Sequence, residues 1–569
     1  MARRKRKRKG TAKYIVIIVL LLIFIAGVIA YSHFGMTKEK ADLNDYFSLS
    51  KSDQAAVVID DSVMGAKGLV ADGVPYVEYE TVASYISSRF YVDTNEKLLL
   101  YALPDELLQI GPDQNAYKEE GQDVKMEHPV WIEKDGTAYI AMDFLERYSP
   151  ITANFSKDPN RMMIVTKFGE IKTMEAIKEA QIRKLAGVKS PVLKDVKKGE
   201  KLTYLDMVDD WYHVRSEDGF IGYIPERYVS ELMVETIKSD YEEPEYTHLL
   251  EDDKICLAFD NVTNGTANKF LDDRLKGSKA ITILAPTWFA VGDTNGKVDS
   301  IASKDYVANA HKKGLKVWPT IRDFDSNGIN SGEQTFETLS YTSKRKAIID
   351  SVIKQTKEVG ADGINVDFEK INADCGQSYV EFIRELSQQC HAQKLVLSVD
   401  NYVPKAYNGH YGRKEQGIFA DYVVIMGYDE HTYGDSEAGS VASYGFVEDG
   451  IEKTIAEVPA DRVINAVPFY TRIWDTNSEK NLTFKSYGMA GAADVVKKAG
   501  AAAEWDEETH QDYAEWEQNG HTFQVWLENA KSIKDKLDLM SGYDLAGVGA
   551  WRLGQETKDV WNLIAEYME

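Results

Sequence analysis

Asp367 and Glu369 stand two residues apart in the run Asp362-Gly363-Ile364-Asn365-Val366-Asp367-Phe368-Glu369. Ile364, Val366 and Phe368 alternate with polar residues, the pattern of a strand packed on one side. Residues two apart on a strand point the same way, so Asn365, Asp367 and Glu369 share a face. Two carboxylates with an amide beside them are costly to bury unless they are hydrogen-bonded or do chemistry. Like charges this close raise one pKa and keep one acid protonated near neutral pH. A protonated acid beside a charged one is what general acid catalysis needs. The other reading is an edge strand whose acids face water.

The elements around this run predict how it is presented. From Lys254 onward, apolar strands alternate with helical stretches. The strands expected are 255–259, 281–285, 315–321, 363–368, 395–400, 422–428, 463–469 and 546–551. Eight such strands in roughly 300 residues predict an α/β fold, a (β/α)8 TIM barrel. A doubly wound sheet is the competing parallel arrangement, and no Gly-rich phosphate loop supports it. Barrel chemistry gathers at the C-terminal ends of the strands. Asp367 and Glu369 end the fourth strand, Asp400 and Tyr402 the fifth, and Met426, Tyr428 and Asp429 the sixth. Tyr470 follows the seventh, and Trp551 ends the eighth.

At 569 residues the chain is long enough for several domains. A formal charge of −24 argues against nucleic acid as the main partner. Residues 1–13 nevertheless hold eight basic and no acidic residues, a cytoplasmic basic tail. The uncharged run 14–31 after it predicts a transmembrane signal anchor, with everything beyond it outside the cell membrane. A cleaved signal peptide is the alternative for this run. The three cysteines, Cys256, Cys375 and Cys390, make no disulfide framework, and an exported chain with so few fits a Gram-positive bacterium. With no HExxH and no CxxC, neither a metal site nor a cofactor is expected.

A polar stalk is expected over 32–55. In 56–169, Gly73-Val-Pro-Tyr-Val and Gly136-Thr-Ala-Tyr-Ile each lead through a helical patch to an apolar strand, a small duplicated α+β module. It resembles the copper-amine-oxidase N-terminal-like domain of bacterial surface proteins, although its single histidine, His128, leaves no copper site. Residues 170–182 read as a short charged helix. Short alternating strands with Asp218-Gly219 predict a small β-barrel over 183–233. That stretch resembles a bacterial Src-homology-3-like domain. An acidic linker, 234–253, leads into the large barrel.

The fourth-strand run resembles the DG-x-D-x-D-x-E signature of glycoside hydrolase family 18, with Asn365 in place of the middle aspartate. Met426, Tyr428 and Asp429 are similar to the family's M-x-Y-D motif, and Trp551 to the tryptophan that floors its sugar subsite. The resemblance covers 254–569 and includes a small α+β insertion at about 471–543. The third strand lacks the family's S-x-G-G pattern. The resemblance implies substrate-assisted retention: Glu369 as general acid and base, Asp367 and Tyr428 steadying the substrate's 2-acetamido group, with Asn365, Met426, Asp429, Tyr470, Trp551 and Asp400 binding substrate. The expected partner is an N-acetylglucosamine-containing glycan, peptidoglycan or chitin-like. A catalytically inactive glycan-binding surface protein is the alternative from another class.

Overall fold

Eight parallel strands close on themselves between Ile255 and Trp551. In the computed structural model, which describes residues 11–324 and 328–569 and all their side chains but those of 11–12 and 29–34, they are β1 (Ile255–Asp260), β2 (Ile283–Pro286), β3 (Lys316–Val317 and Thr320–Arg322), β4 (Gly363–Asp367), β5 (Val396–Tyr402), β6 (Tyr422–Met426), β7 (Val463–Pro468) and β8 (Gly547–Trp551). Each pairs with the next, and β8 pairs with β1, which closes the ring. Strands covered on both faces read as continuous apolar runs, which is why these segments are so evenly hydrophobic. The helices Lys304–Lys312, Thr342–Val359, Gly376–Ala392, Tyr444–Ile455, Ala530–Ser541 and Val560–Met568 flank the strands. Their apolar faces and the strands form one core, from Ile255 and Phe259 to Trp561 and Tyr567.

The third strand is broken at Trp318-Pro319. Proline carries no N–H, so the ladder lapses there, and the carbonyl of Pro319 instead accepts from the Asn365 amide at 3.0 Å. The strand resumes with Thr320 opposite Asn365 and Arg322 opposite Asp367. After β7 the chain leaves the barrel for a five-stranded antiparallel sheet running from Tyr470 to Leu527, with the helix Met489–Ala499 on it. The insertion therefore ends earlier than the expected 543. Ala530–Ser541 is a barrel helix, because Ile533, Leu537 and Met540 are buried in the barrel core.

The three-stranded meander Phe90–Asp93, Leu98–Ala102 and Leu107–Ile110 belongs to the same compact unit as the barrel. Asp93 Oδ2 accepts from the Thr342 N–H and hydroxyl, each at 2.7 Å. Tyr91 meets Ser378 at 2.9 Å, and the Arg345 guanidinium stacks 4.9 Å over its ring. Residues 56–169 are thus divided between two units rather than kept in one.

In the other unit, the strand Gln54–Ile59 lies parallel to Arg161–Val165 within a seven-stranded sheet that carries the helices Tyr79–Tyr85 and Met142–Tyr148. A second seven-stranded antiparallel sheet runs from Gly169 to Ile237. Its core is Met174, Ile182, Leu202, Val214 and Ile224, while Trp211, Tyr212 and Tyr223 are only half-buried. The helix expected at 170–182 is two strands, Gly169–Glu175 and Ala180–Arg183. Neighbouring strands supply the backbone partners that override the local charge pattern.

Thr11–Phe34 is a single helix whose described side chains, 13–28, are exposed. Among the described residues no helix is long and apolar enough to cross a membrane, so the span expected at 14–31 is not found. The basic run Arg3 to Lys9 lies outside the described residues.

Candidate active site

Asp367 ends β4, and Glu369 follows where the strand hands over to a loop. The loop is pinned by an acid outside the expected site. Asp323, fully buried just beyond β3, accepts the Glu369 N–H at 2.7 Å on Oδ1 and the Lys370 N–H at 3.0 Å on Oδ2. The Thr335 hydroxyl holds the same Oδ2 at 3.0 Å. Glu369 is half-buried, and Tyr402, at the end of β5, donates its hydroxyl to Oε2 at 2.5 Å.

Beneath the acid lies a buried polar layer. Asn365, fully buried, donates to Asp400 Oδ2 at 2.7 Å and to Thr320 at 3.4 Å, and accepts the Ser398 hydroxyl at 2.6 Å. These bonds tie it to β3 and β5 and orient Asp400. Asp400 is itself buried.

The sixth, seventh and eighth strands deliver the aromatic side. Met426 is buried at the end of β6, opposite Tyr402 on β5. The Tyr428 ring lies 6.3 Å from Trp551 at 26° and 6.3 Å from Tyr470 at 72°. Trp551 is half-buried and meets Phe259 edge-on at 5.4 Å. Asp429 has φ 63°, a left-handed turn that Asp tolerates. Its Oδ1 accepts from the Tyr470 hydroxyl and from Arg472 Nη2, the latter at 2.6 Å. Glu369, Asp367, Tyr428, Trp551, Asp429 and Tyr470 therefore gather at one end of the barrel, with Met426 packed behind them.

Burial dominates the electrostatics. It pushes Asp367 well above the usual carboxylate range, helped by Glu369, Asp400 and Asp323 and opposed by Arg322. Burial raises Glu369 too, against the Tyr402 hydrogen bond and the charge of Lys370. It lifts Asp400 to about 8 and Asp323 to about 6. Four acids thus crowd the end of β3, β4 and β5 with little compensating positive charge. Such a site favours a protonated carboxyl at neutral pH, in reach of solvent through Glu369. Among the described residues no three His, Cys, Asp or Glu side chains are grouped to hold a metal ion.

Asp323, Thr320 and Ser398 lie outside the expected site, whereas Tyr402 is one of the strand ends expected to form it. Ser398 follows from period-two alternation, because Ser398, Asp400 and Tyr402 share one face of β5. Asp323 carried no such signal, since it acts through backbone amides of another segment.

Residues 241–556, more than half the chain, match glycosyl hydrolases family 18, and residues 178–230 match the bacterial SH3 domain. The uncharacterized glycosylase YvbX of Bacillus subtilis is 26% identical over 280 residues, covering 48% of this chain and 80% of that protein. The cortical fragment-lytic enzyme of Bacillus anthracis is 22% identical over 271 residues, covering 46% of this chain and 62% of that one. In fold the chain is similar to the Bacillus cereus spore cortex-lytic enzyme SleL, with a TM-score of 0.51 at 20% identity, over 58% of this chain and 79% of that one. With its signature run at the end of β4 and its aromatic partners just after β6 and on β8, the chain belongs to family 18 of the glycosyl hydrolases.

Proposed function

We propose that the barrel hydrolyses β-linked N-acetylglucosamine glycans, with peptidoglycan strands as the substrate, by a substrate-assisted retaining mechanism. The observation that carries this reading is Glu369, half-buried, raised by burial and held by Tyr402 at 2.5 Å, two residues after Asp367. Glu369 gives its proton to the glycosidic oxygen as the bond to the anomeric carbon breaks. The carbonyl oxygen of the sugar's own 2-acetamido group closes on that carbon. Asp367 accepts the acetamido N–H and offsets the positive charge that develops there, and Tyr428 flanks the same group. Water then attacks the anomeric carbon, Glu369 takes its proton, and the acetamido group is released with retention. Trp551 offers its ring to the apolar face of the sugar. Glycans without an N-acetyl group lack the internal nucleophile and are not cleaved.

Relatives named for lysis of cortical fragments favour a cell-wall glycan over chitin. Incubation with purified sacculi, followed by analysis of reducing ends, tests the reading. Wild type releases N-acetylglucosamine ends, and Glu369→Gln lowers the rate by about 1,000-fold. Equal release by the two proteins sinks the role given to Glu369. Binding to sacculi with no cleavage by either favours a glycan-binding surface protein, and turnover of chito-oligosaccharides alone favours a chitinase.

We also propose that the barrel works outside the cytoplasm, an inference supported by the basic run Arg3 to Lys9 followed by the apolar run from Tyr14. Protease treatment of intact cells tests it. Survival of the full-length band overturns the location.

A further inference from the structure

Asp367 and Asp400 occupy neighbouring positions on adjacent parallel strands. β4 and β5 pair with Asn365 opposite Ser398 and Val366 opposite Val399. One step further sets Asp367 against Asp400, on strands about 4.8 Å apart. Their relative exposures are 5% and 2%, so water reaches neither freely. Each leaves its Oδ1 buried with no hydrogen-bond partner among the described residues. The other oxygen of Asp400 is occupied by the Asn365 amide.

Two carboxylates this close and this dry do not both ionise at neutral pH. The titratable groups that interact with them are Glu369 after β4, Asp323 after β3, Tyr402 at the end of β5, Tyr411 beyond it, Tyr428 after β6 and Tyr379 from the helix Gly376–Ala392. Arg322, opposite Asp367 on β3, is the cation facing them. One positive charge is too little to hold two extra anions there.

We propose that Asp367 and Asp400 share one proton between their Oδ1 atoms, with Asp400 as the positioning residue that takes the proton when Asp367 has to be charged. This rests on the reading of Asp367 as the acceptor for the substrate's acetamido N–H. When that N–H donates to Asp367, its anion is favoured and the proton moves to Asp400 Oδ1. When product leaves, the proton returns, so none is gained or lost over the cycle. Asn365 fits this arrangement, because an amide at that position aligns Asp400 without adding a third carboxyl to the layer. The upward shift of both acids agrees with a retained proton.

Infrared spectroscopy of the full chain tests the shared proton without any substrate. The difference between wild type and Asp400→Asn at neutral pH is expected to show the loss of one protonated-carboxyl band, and Asp367→Asn is expected to lose the same one. An unchanged band in Asp400→Asn overturns the proposal whether or not the protein cleaves glycan. On sacculi, Asp400→Leu, which has no donor, lowers kcat about 100-fold with little change in KM. Asp400→Asn, whose amide still donates to Asp367, recovers at least about tenfold of that loss. Its alkaline limb also lacks the ionisation of the pair. Equal impairment of the Leu and Asn variants, or none in either, sinks the positioning role.

Discussion

The hydroxyl of Tyr402 reaches from the end of β5 to Oε2 of Glu369, one strand away, at 2.5 Å. A donor aimed at a carboxylate stabilises its charged form, so Tyr402 opposes the upward push of burial on Glu369. Glu369 needs its proton to act as an acid, and activity falls as pH rises through its pKa. In Tyr402→Phe the opposing donor is gone and that pKa rises further. The alkaline limb of kcat/KM then moves to higher pH, while kcat falls about tenfold for the lost charge-assisted bond. A limb that stays in place, or moves down, contradicts the assignment of Glu369 as the acid.

Asp323 has a different task, because it holds backbone rather than side chain. Removing its carboxylate in Asp323→Ala frees the amides of Glu369 and Lys370 and lets the acid drift. A misplacement near 1 Å costs about 100-fold in rate. Glycan binding measured on the same variant should hold within a few-fold, since Trp551 and Asp429 stand on other strands. The part-buried amides left without their acceptor should also lower stability, read by urea unfolding.

In the wall of the barrel, Lys536 and Glu528 form a pair with relative exposures of 1% and 0% at 3.0 Å. Ser532 and Gln511 complete the coordination of Glu528. Burial raises Glu528, and Lys536 is the charge that opposes it. Lys536→Met leaves the carboxyl buried without its cation and is expected to cost about 3–5 kcal/mol. The double variant Lys536→Met with Glu528→Leu should recover most of that loss. Thermal or urea unfolding of the single and double variants decides the matter.

His248 makes the fold sensitive to acid. It is mostly buried, accepts from Arg462 Nη1 at 2.5 Å on Nε2, and is pushed down to about 4 by burial and by the Arg462 charge. In the unfolded chain a histidine takes its proton near 6.5. Between these values the unfolded state binds more protons, so stability rises with pH there. It is fully present above ~6.5 and is lost as pH falls toward ~4. His248→Gln removes the titrating group, and its unfolding free energy should lose that part of the slope.

Several of these residues were visible along the chain and several were not. The alternation around Asp367 and Glu369, the eight evenly apolar runs and the polar strand ends are local patterns. A parallel barrel buries both faces of each strand and exposes its chemistry at one end, so such patterns translate directly into fold and site. Tyr402 lay within the same period-two rule, but nothing in its own strand says that its hydroxyl meets an acid on the next one. The strands at 170–182 read as helix because their partners, on Lys201–Val208 and Met233–Ile237, are distant in sequence. The meander at 90–110 read as part of its neighbouring module because sequence proximity hides which helices cover it.

What the sequence determined by itself was therefore the list of acids, the strand that carries the central pair and the family to which the barrel belongs. Spacing along one strand is set by covalent geometry and needs no partner. Only the tertiary structure decided that Asn365 donates to Asp400, that Asp323 clamps the Glu369 backbone, and that two buried aspartates occupy neighbouring positions on adjacent strands. These are relations across strands, fixed by register, and a single strand contains no record of the register its neighbours will take.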